Sequence, residues 1–193
     1  MRQVTLFLLA ATGALALTGC GDKQASESGT ASEAATAGGA AGALPADWKA
    51  TDACTILDKG AVAKALKIDV PQTQLSLVNE PGAQSAATST CTYLGSDGAS
   101  VASLMTRWSP IGDNTPETIA ATRSTTASTM KAFSDKPLED IPGLGKAAFL
   151  VPGINQLNVF VDEARMMILT VEKVPDGASG KDIAVDLAKQ AGA

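Results

Sequence analysis

The chain predicts an α+β domain, an antiparallel β-sheet of about five strands packed by helices. Three observations carry this. The tetrad Gly95-Ser96-Asp97-Gly98 separates two β-prone runs and marks a hairpin. Three short apolar runs follow between 147 and 174, divided by turn residues. Segments of helical periodicity with capping residues lie before, between and after these strands. Hairpins impose antiparallel pairing, and amphipathic helices must bury their stripe against the sheet. The order read is α-β-β-α-β-β-β-α.

Taken in order, Thr51 or Asp52 caps a first helix running to about Lys67, with Leu57, Ala61, Ala65 and Ile68 on one stripe. Pro71 closes it. Residues 71–86 mix Pro, Gln, Asn and Gly and read as loop, with room for one short strand at Leu75–Val78. Thr88–Leu94 and Ala99–Trp108 form the hairpin, with Ala102, Leu104, Thr106 and Trp108 on one face. Thr115-Pro116-Glu117 starts a second helix: a capping hydroxyl, a proline in the first turn, then an acid at the positive dipole end. Ile119, Thr126, Met130 and Phe133 follow at helical spacing, so it runs to about Phe133. Lys136–Gly145 reads as loop. Ala147–Val151 and Gln156–Val161 are strands around Pro152-Gly153, and Asp162–Arg165 turns the chain. Met166–Val174 is the last strand; its apolar start on both faces predicts a central place in the sheet. Ser179 or Gly180 opens the last helix, which buries Ile183, Leu187 and Ala191.

Composition narrows the function. The 193 residues carry 15 basic and 20 acidic groups, a formal net charge of −5. An acidic chain that is 4% aromatic neither neutralises phosphate nor stacks bases well, which argues against nucleic acid. With no histidine, imidazole-based catalysis and His-ligated zinc are excluded. A serine nucleophile would need a lysine base, and no Ser-x-x-Lys motif of that class is expected. The domain is read as non-enzymatic, with no cofactor and no metal.

The first twenty residues suggest an address. Val4–Leu17 is an uncharged apolar stretch behind Arg2, too short for a comfortable span and suited to a signal-peptide core. Leu17-Thr18-Gly19-Cys20 resembles the lipobox of bacterial lipoproteins. The resemblance implies cleavage before Cys20 and acylation of Cys20, so that the chain partners a membrane through that lipid. It implies a signal peptide over residues 1–19. Gly21, rather than an acid, follows the cysteine, which favours the outer membrane facing the periplasm in a Gram-negative cell. In a Gram-positive or actinobacterial cell the place would be the outer face of the cell membrane. Residues 20–46 read as anchor and tether: Ala, Gly, Ser and Thr make up 19 of the 26 residues from Gly21 to Ala46. A coil of that length spans about 25–30 Å. Residues 47–193 are then a single globular domain.

With Cys20 lipidated, Cys54 and Cys91 remain. An exported protein usually pairs an even remainder, and a redox pair or metal site would ask for Cys-x-x-Cys spacing or more soft ligands. A structural disulfide is therefore expected, worth up to about 4 kcal/mol by loop entropy.

Other candidates read as structural. Pro142-Gly143-Leu144-Gly145 lacks the Lys-Ser/Thr ending of a phosphate loop. The acid pairs Glu139–Asp140 and Asp162–Glu163 lack calcium-loop spacing and are placed at turns. Trp48, Tyr93, Met105, Trp108, Met130, Met166 and Met167 are core residues first and pocket candidates second.

Asp52-Ala53-Cys54-Thr55-Ile56-Leu57, Cys91-Thr92-Tyr93 and Ile141-Pro142-Gly143-Leu144-Gly145-Lys146-Ala147-Ala148 occur in that order. Together they resemble a family of small actinobacterial lipoproteins of unknown function. Tyr93 stands where that family commonly has tryptophan. The resemblance implies a disulfide between first helix and hairpin, and a helix-packed antiparallel sheet similar to PsbP-like and kinase-sensor domains. It implies no activity. The functional expectation is an envelope lipoprotein that binds a protein partner or a small apolar or glycan ligand. Alternatives are a structural or quality-control role in an envelope complex, and, less favoured, a hydrolase.

Overall fold

The computed structural model describes residues 44–193. Cys20 and the lipobox lie outside the described residues. Among the described residues the fold is α+β, with an antiparallel sheet of seven strands and three α-helices. The sheet order is β1 (Gln72–Asn79), β2 (Ala87–Leu94), β3 (Ser100–Trp108), β7 (Arg165–Val171), β6 (Gln156–Phe160), β5 (Ala147–Val151), β4 (Glu139–Asp140). As its apolar start predicts, β7 is the central strand. Five strands and the order α-β-β-α-β-β-β-α undercount this sheet. The two extra strands are its edges. β1 pairs on one side only, and its exposed Gln and Asn side chains erase the alternation that marks a half-buried strand. β4 is two residues long and lay in the expected loop 136–145.

The first helix also begins later than its composition predicts. Ala53–Thr55 is a 3₁₀ turn, and α1 spans Lys59–Leu66. The Asp52 side chain makes no capping bond; Asp58 is the cap, accepting from the Gly60 and Ala61 amides at 2.8 and 3.3 Å. The sheet holds the earlier residues in place. Ser89 Oγ accepts from the Ala53 amide at 2.8 Å and donates to the Ala50 carbonyl at 2.7 Å. Cys54 is disulfide-bonded to Cys91 on β2, with a Cα–Cα distance of 5.0 Å. A continuous helix from Thr51 would break these ties.

Helices α2 (Pro116–Met130) and α3 (Gly180–Gln190) start at the expected caps: Thr115 Oγ1 accepts from the Thr118 amide, and Ser179 Oγ from the Asp182 amide. The α2 helix stops at Met130, three residues short. Phe133 is 80% exposed rather than on the inner stripe, because the chain leaves the helix in turns closed onto the Met130 carbonyl.

Strand alternation sorts the core into two layers. One face of the sheet, covered by α1, α3 and the 3₁₀ turn, carries the main core: Cys91, Tyr93, Leu104, Leu157, Met167 and Leu169 pack with Trp48, Val62, Leu66 and Leu187. Leu44 also packs against this core. The other face carries a smaller cluster, Leu138, Phe149, Val151, Phe160 and Met166, with Ile119, Ala127 and Met130 of α2 packed on it. Toward β1–β3 that second face is polar and half-open, presenting Thr88, Thr90 and Thr92 on β2 and Ser103, Met105 and Arg107 on β3.

Candidate functional site

The apolar pocket candidates do not converge. Trp48, Tyr93, Trp108 and Met167 belong to the main core, Met130 and Met166 to the second cluster, and Met105 to the half-open face. Trp48 donates from Nε1 to the Arg107 carbonyl at 3.3 Å, and Tyr93 donates from its hydroxyl to the Leu57 carbonyl at 2.7 Å. Burial first, and nearby Asp58 second, push the Tyr93 hydroxyl well above its ordinary range, so it stays neutral and a donor.

The acid pairs are each occupied by a cation or by backbone. Glu139 meets Lys181 at 3.1 Å and Asp140 meets Arg123 at 2.9 Å, both on the edge strand β4 rather than a turn. Asp162 accepts from the Ala164 and Arg165 amides at 2.9 and 2.7 Å and from the Arg165 guanidinium at 2.6 Å. Burial pushes its carboxyl upward, but these hydrogen bonds outweigh it and hold the group below the usual carboxylate range. Glu163 meets Lys146 at 3.2 Å; hydrogen bonds, from its own backbone amide first and then Lys146, lower its carboxyl too. Asp113 is held low mainly by its two-pronged pair with Arg107. Among the described residues no cluster of three metal-ligating side chains occurs. No helix among them is long and apolar enough to cross a membrane.

Pro142-Gly143-Leu144-Gly145 has the geometry of a structural turn. Leu144 is buried in the main core, and Lys146 Nζ donates to the Asn114 carbonyl at 2.9 Å. Gly145 has φ +58°, and a side chain there would meet the Phe160 carbonyl oxygen at 2.6 Å. One Ser-x-x-Lys spacing does occur, contrary to expectation: Ser128-Thr129-Met130-Lys131. It lies at the C-terminal end of α2, with both side chains exposed and no hydrogen bond joining them. A nucleophile there would have no base in contact.

Three concave places stand out, one of them a hollow of about 300 Å³ lined by Ile68, Asp69, Gly95, Ser96, Asp97 and Lys173. The largest, about 670 Å³, is where the described chain begins, between Asp47–Lys49 and the end of α3. Its guanidinium, Arg165, is already bound by Asp162, lies 3.5 Å from Asp47 and stacks over Trp48 with 5.6 Å to the ring centroid. The second place is the flank of α2. A cavity of about 440 Å³ is lined by Pro116, Ile119, Ala120 and Phe149 among others, and one of about 230 Å³ by Ala127, Met130 and Leu138 among others. Arg123 lines both. Periodicity marked Ile119 and Met130 as inward-facing, but nothing in the sequence marked the groove. It exists because α2, fifteen residues long, fully buries none of them.

No protein-family model matches the chain, and no curated protein or solved structure matches it.

Proposed function

We propose that this chain is a lipid-anchored envelope protein whose domain is a non-catalytic binding module for a small apolar ligand, seated along α2. The anchor rests on the lipobox-like Leu17-Thr18-Gly19-Cys20 alone. The ligand site rests on one observation: α2 roofs the apolar cluster of Phe149, Val151, Phe160 and Met166 without sinking any residue fully into it. Amphipathic helices normally bury a full apolar stripe. Here the stripe is thin, and grooves of ligand size flank it. The apolar floor favours a lipid-like ligand over a glycan, which would want flat aromatic faces.

An environment-sensitive apolar dye tests the site. It should bind the protein and be displaced on substituting Ala120→Trp, which fills the wider groove from an exposed position. Dye binding unchanged by Ala120→Trp would exclude the groove. For the anchor, Cys20→Ala should abolish metabolic labelling with an acyl analogue.

A second reading has its own observation. β1 is an edge strand of eight uncharged residues with Leu75, Leu77 and Val78 exposed, Leu77 by 75%. Such an edge fits an extended apolar peptide of a protein partner adding a strand.

A further inference from the structure

Building on the α2 groove as a ligand site, we infer that its ligand is a single-chain amphiphile with an anionic head, a long-chain carboxylate, and that α2 is the lid admitting it. The charge around the groove is the first argument. The narrow cavity is lined by Arg123, Lys131 and Lys136 against one acid, Asp135. Among the described residues Lys131, Lys136 and Asp135 make no ion pair. A local positive excess of this kind stands out in a chain of net charge −5. It outweighs the fractional negative charge at the C-terminal end of α2. The wide cavity is apolar along Pro116, Ile119, Ala120 and Phe149, and its two cations, Arg123 and Lys146, are held by Asp140 and Glu163. The head therefore sits at the narrow end and the chain runs into the wide one.

Arg123 stands at the junction and has donors to give. Its Nε binds Asp140 and Nη2 reaches the Leu138 carbonyl at 3.4 Å, while among the described residues Nη1 makes no hydrogen bond. The Asp140 pair is solvent-exposed, so a carboxylate can displace it at small cost. A guanidinium then grips the head with two parallel bonds.

The lid is argued from different residues. Asn158 on β6 shares the α2-facing side with Phe160, is 3% exposed, and leaves its amide nitrogen without a partner. That face of the sheet is the one α2 packs on, and the missing hydrogen bond is a cost of covering it. The helix itself is weakly built: Thr122, Thr126 and Thr129 turn their hydroxyls back onto carbonyls four residues earlier, and threonine is a poor helix former.

Calorimetry on the full chain carrying Cys20→Ser tests this, every variant sharing that background so that residues 1–19 contribute equally. The probes are palmitic acid, cetyl alcohol and acetate. Palmitic acid should bind, cetyl alcohol about tenfold more weakly, and acetate not at all. Combining Arg123→Gln with Lys131→Gln should bring palmitic acid down to the alcohol's affinity and leave the alcohol unchanged. Ala120→Trp should weaken both long-chain probes. Equal affinity for acid and alcohol would overturn the anionic head while leaving the groove. Failure of both long-chain probes to bind would overturn the groove reading itself. Palmitic acid binding indifferent to Ala120→Trp would place the chain elsewhere and overturn the inference.

Discussion

The Tyr93 hydroxyl donates to the Leu57 carbonyl at 2.7 Å, two residues along β2 from the disulfide at Cys91. The segment leading into α1 is thus fastened to the sheet twice, covalently at Cys54 in the 3₁₀ turn and by a buried hydrogen bond at Leu57. Tyr93→Phe removes the donor and leaves the Leu57 carbonyl unpaired. Urea unfolding should show a loss of about 1–2 kcal/mol with an unchanged slope.

The disulfide should contribute more. Replacing Cys54 and Cys91 together by alanine should cost about 2–4 kcal/mol on the same measurement. In the Cys20→Ser background, thiol titration of the unfolded protein should find no free thiol before reduction and two after it.

Acid should destabilise the domain through Asp113 and Asp162. Both carboxyls are held below their ordinary range, Asp113 mainly by Arg107 and Asp162 by the backbone and side chain of Arg165 against the pull of burial. A depressed folded-state pKa gives stability that is complete above the unfolded pKa and drains away as pH falls through the folded one. Thermal midpoints should therefore be flat above the ordinary carboxylate range and fall below it. Asp162→Asn should lower the plateau and shallow the acid limb.

Gly143 and Gly145 should respond differently to alanine. Both have positive φ, +74° and +58°, so both pay backbone strain of about 1–2 kcal/mol. A Cβ at Gly143 meets open space, whereas at Gly145 it meets the Phe160 carbonyl oxygen at 2.6 Å. Gly145→Ala should be the more destabilising in thermal melts, because β5 must shift against β6.

Asn158→Leu should stabilise the fold by about 1 kcal/mol, since it removes a buried polar atom without a partner and adds apolar surface to the second cluster. Hydrogen exchange across α2 should slow. Exchange unchanged or faster would show that Asn158 does not control how firmly the helix is seated.

Much of the scaffold was legible in the sequence. The hairpin turn, the alternation of Ala102, Leu104, Thr106 and Trp108, the caps at Thr115 and Ser179, and the central place of β7 all follow from local pattern. The Cys54–Cys91 pairing followed from arithmetic. What escaped depends on distant residues. Asp52 reads as a cap, but the Cys54–Cys91 disulfide and the Ser89 bonds hold the residues around it on the sheet, and the helix starts at Asp58. The short strand allowed at Leu75–Val78 lies inside β1, but its full length, Gln72–Asn79, shows only once β2 offers it a partner. The groove was illegible for the same reason: Arg123, Leu138 and Phe149 are far apart in sequence and meet only through the pairing of β4 with β5.

The central place of β7 has a consequence for how the chain reaches its fold. Strands β1 to β3 and strands β4 to β6 join into one sheet only through β7, where Ala102–Trp108 pairs with Arg165–Val171 across roughly sixty residues of chain. Each half, made alone, ends in an unpaired edge, β3 in one and β6 in the other. A chain emerging from its amino terminus cannot join the two halves until Arg165–Val171 has appeared. Synthesis therefore leaves β3 and β6 as open edges until β7 is made, the interval in which unpaired strands are most exposed to mispairing.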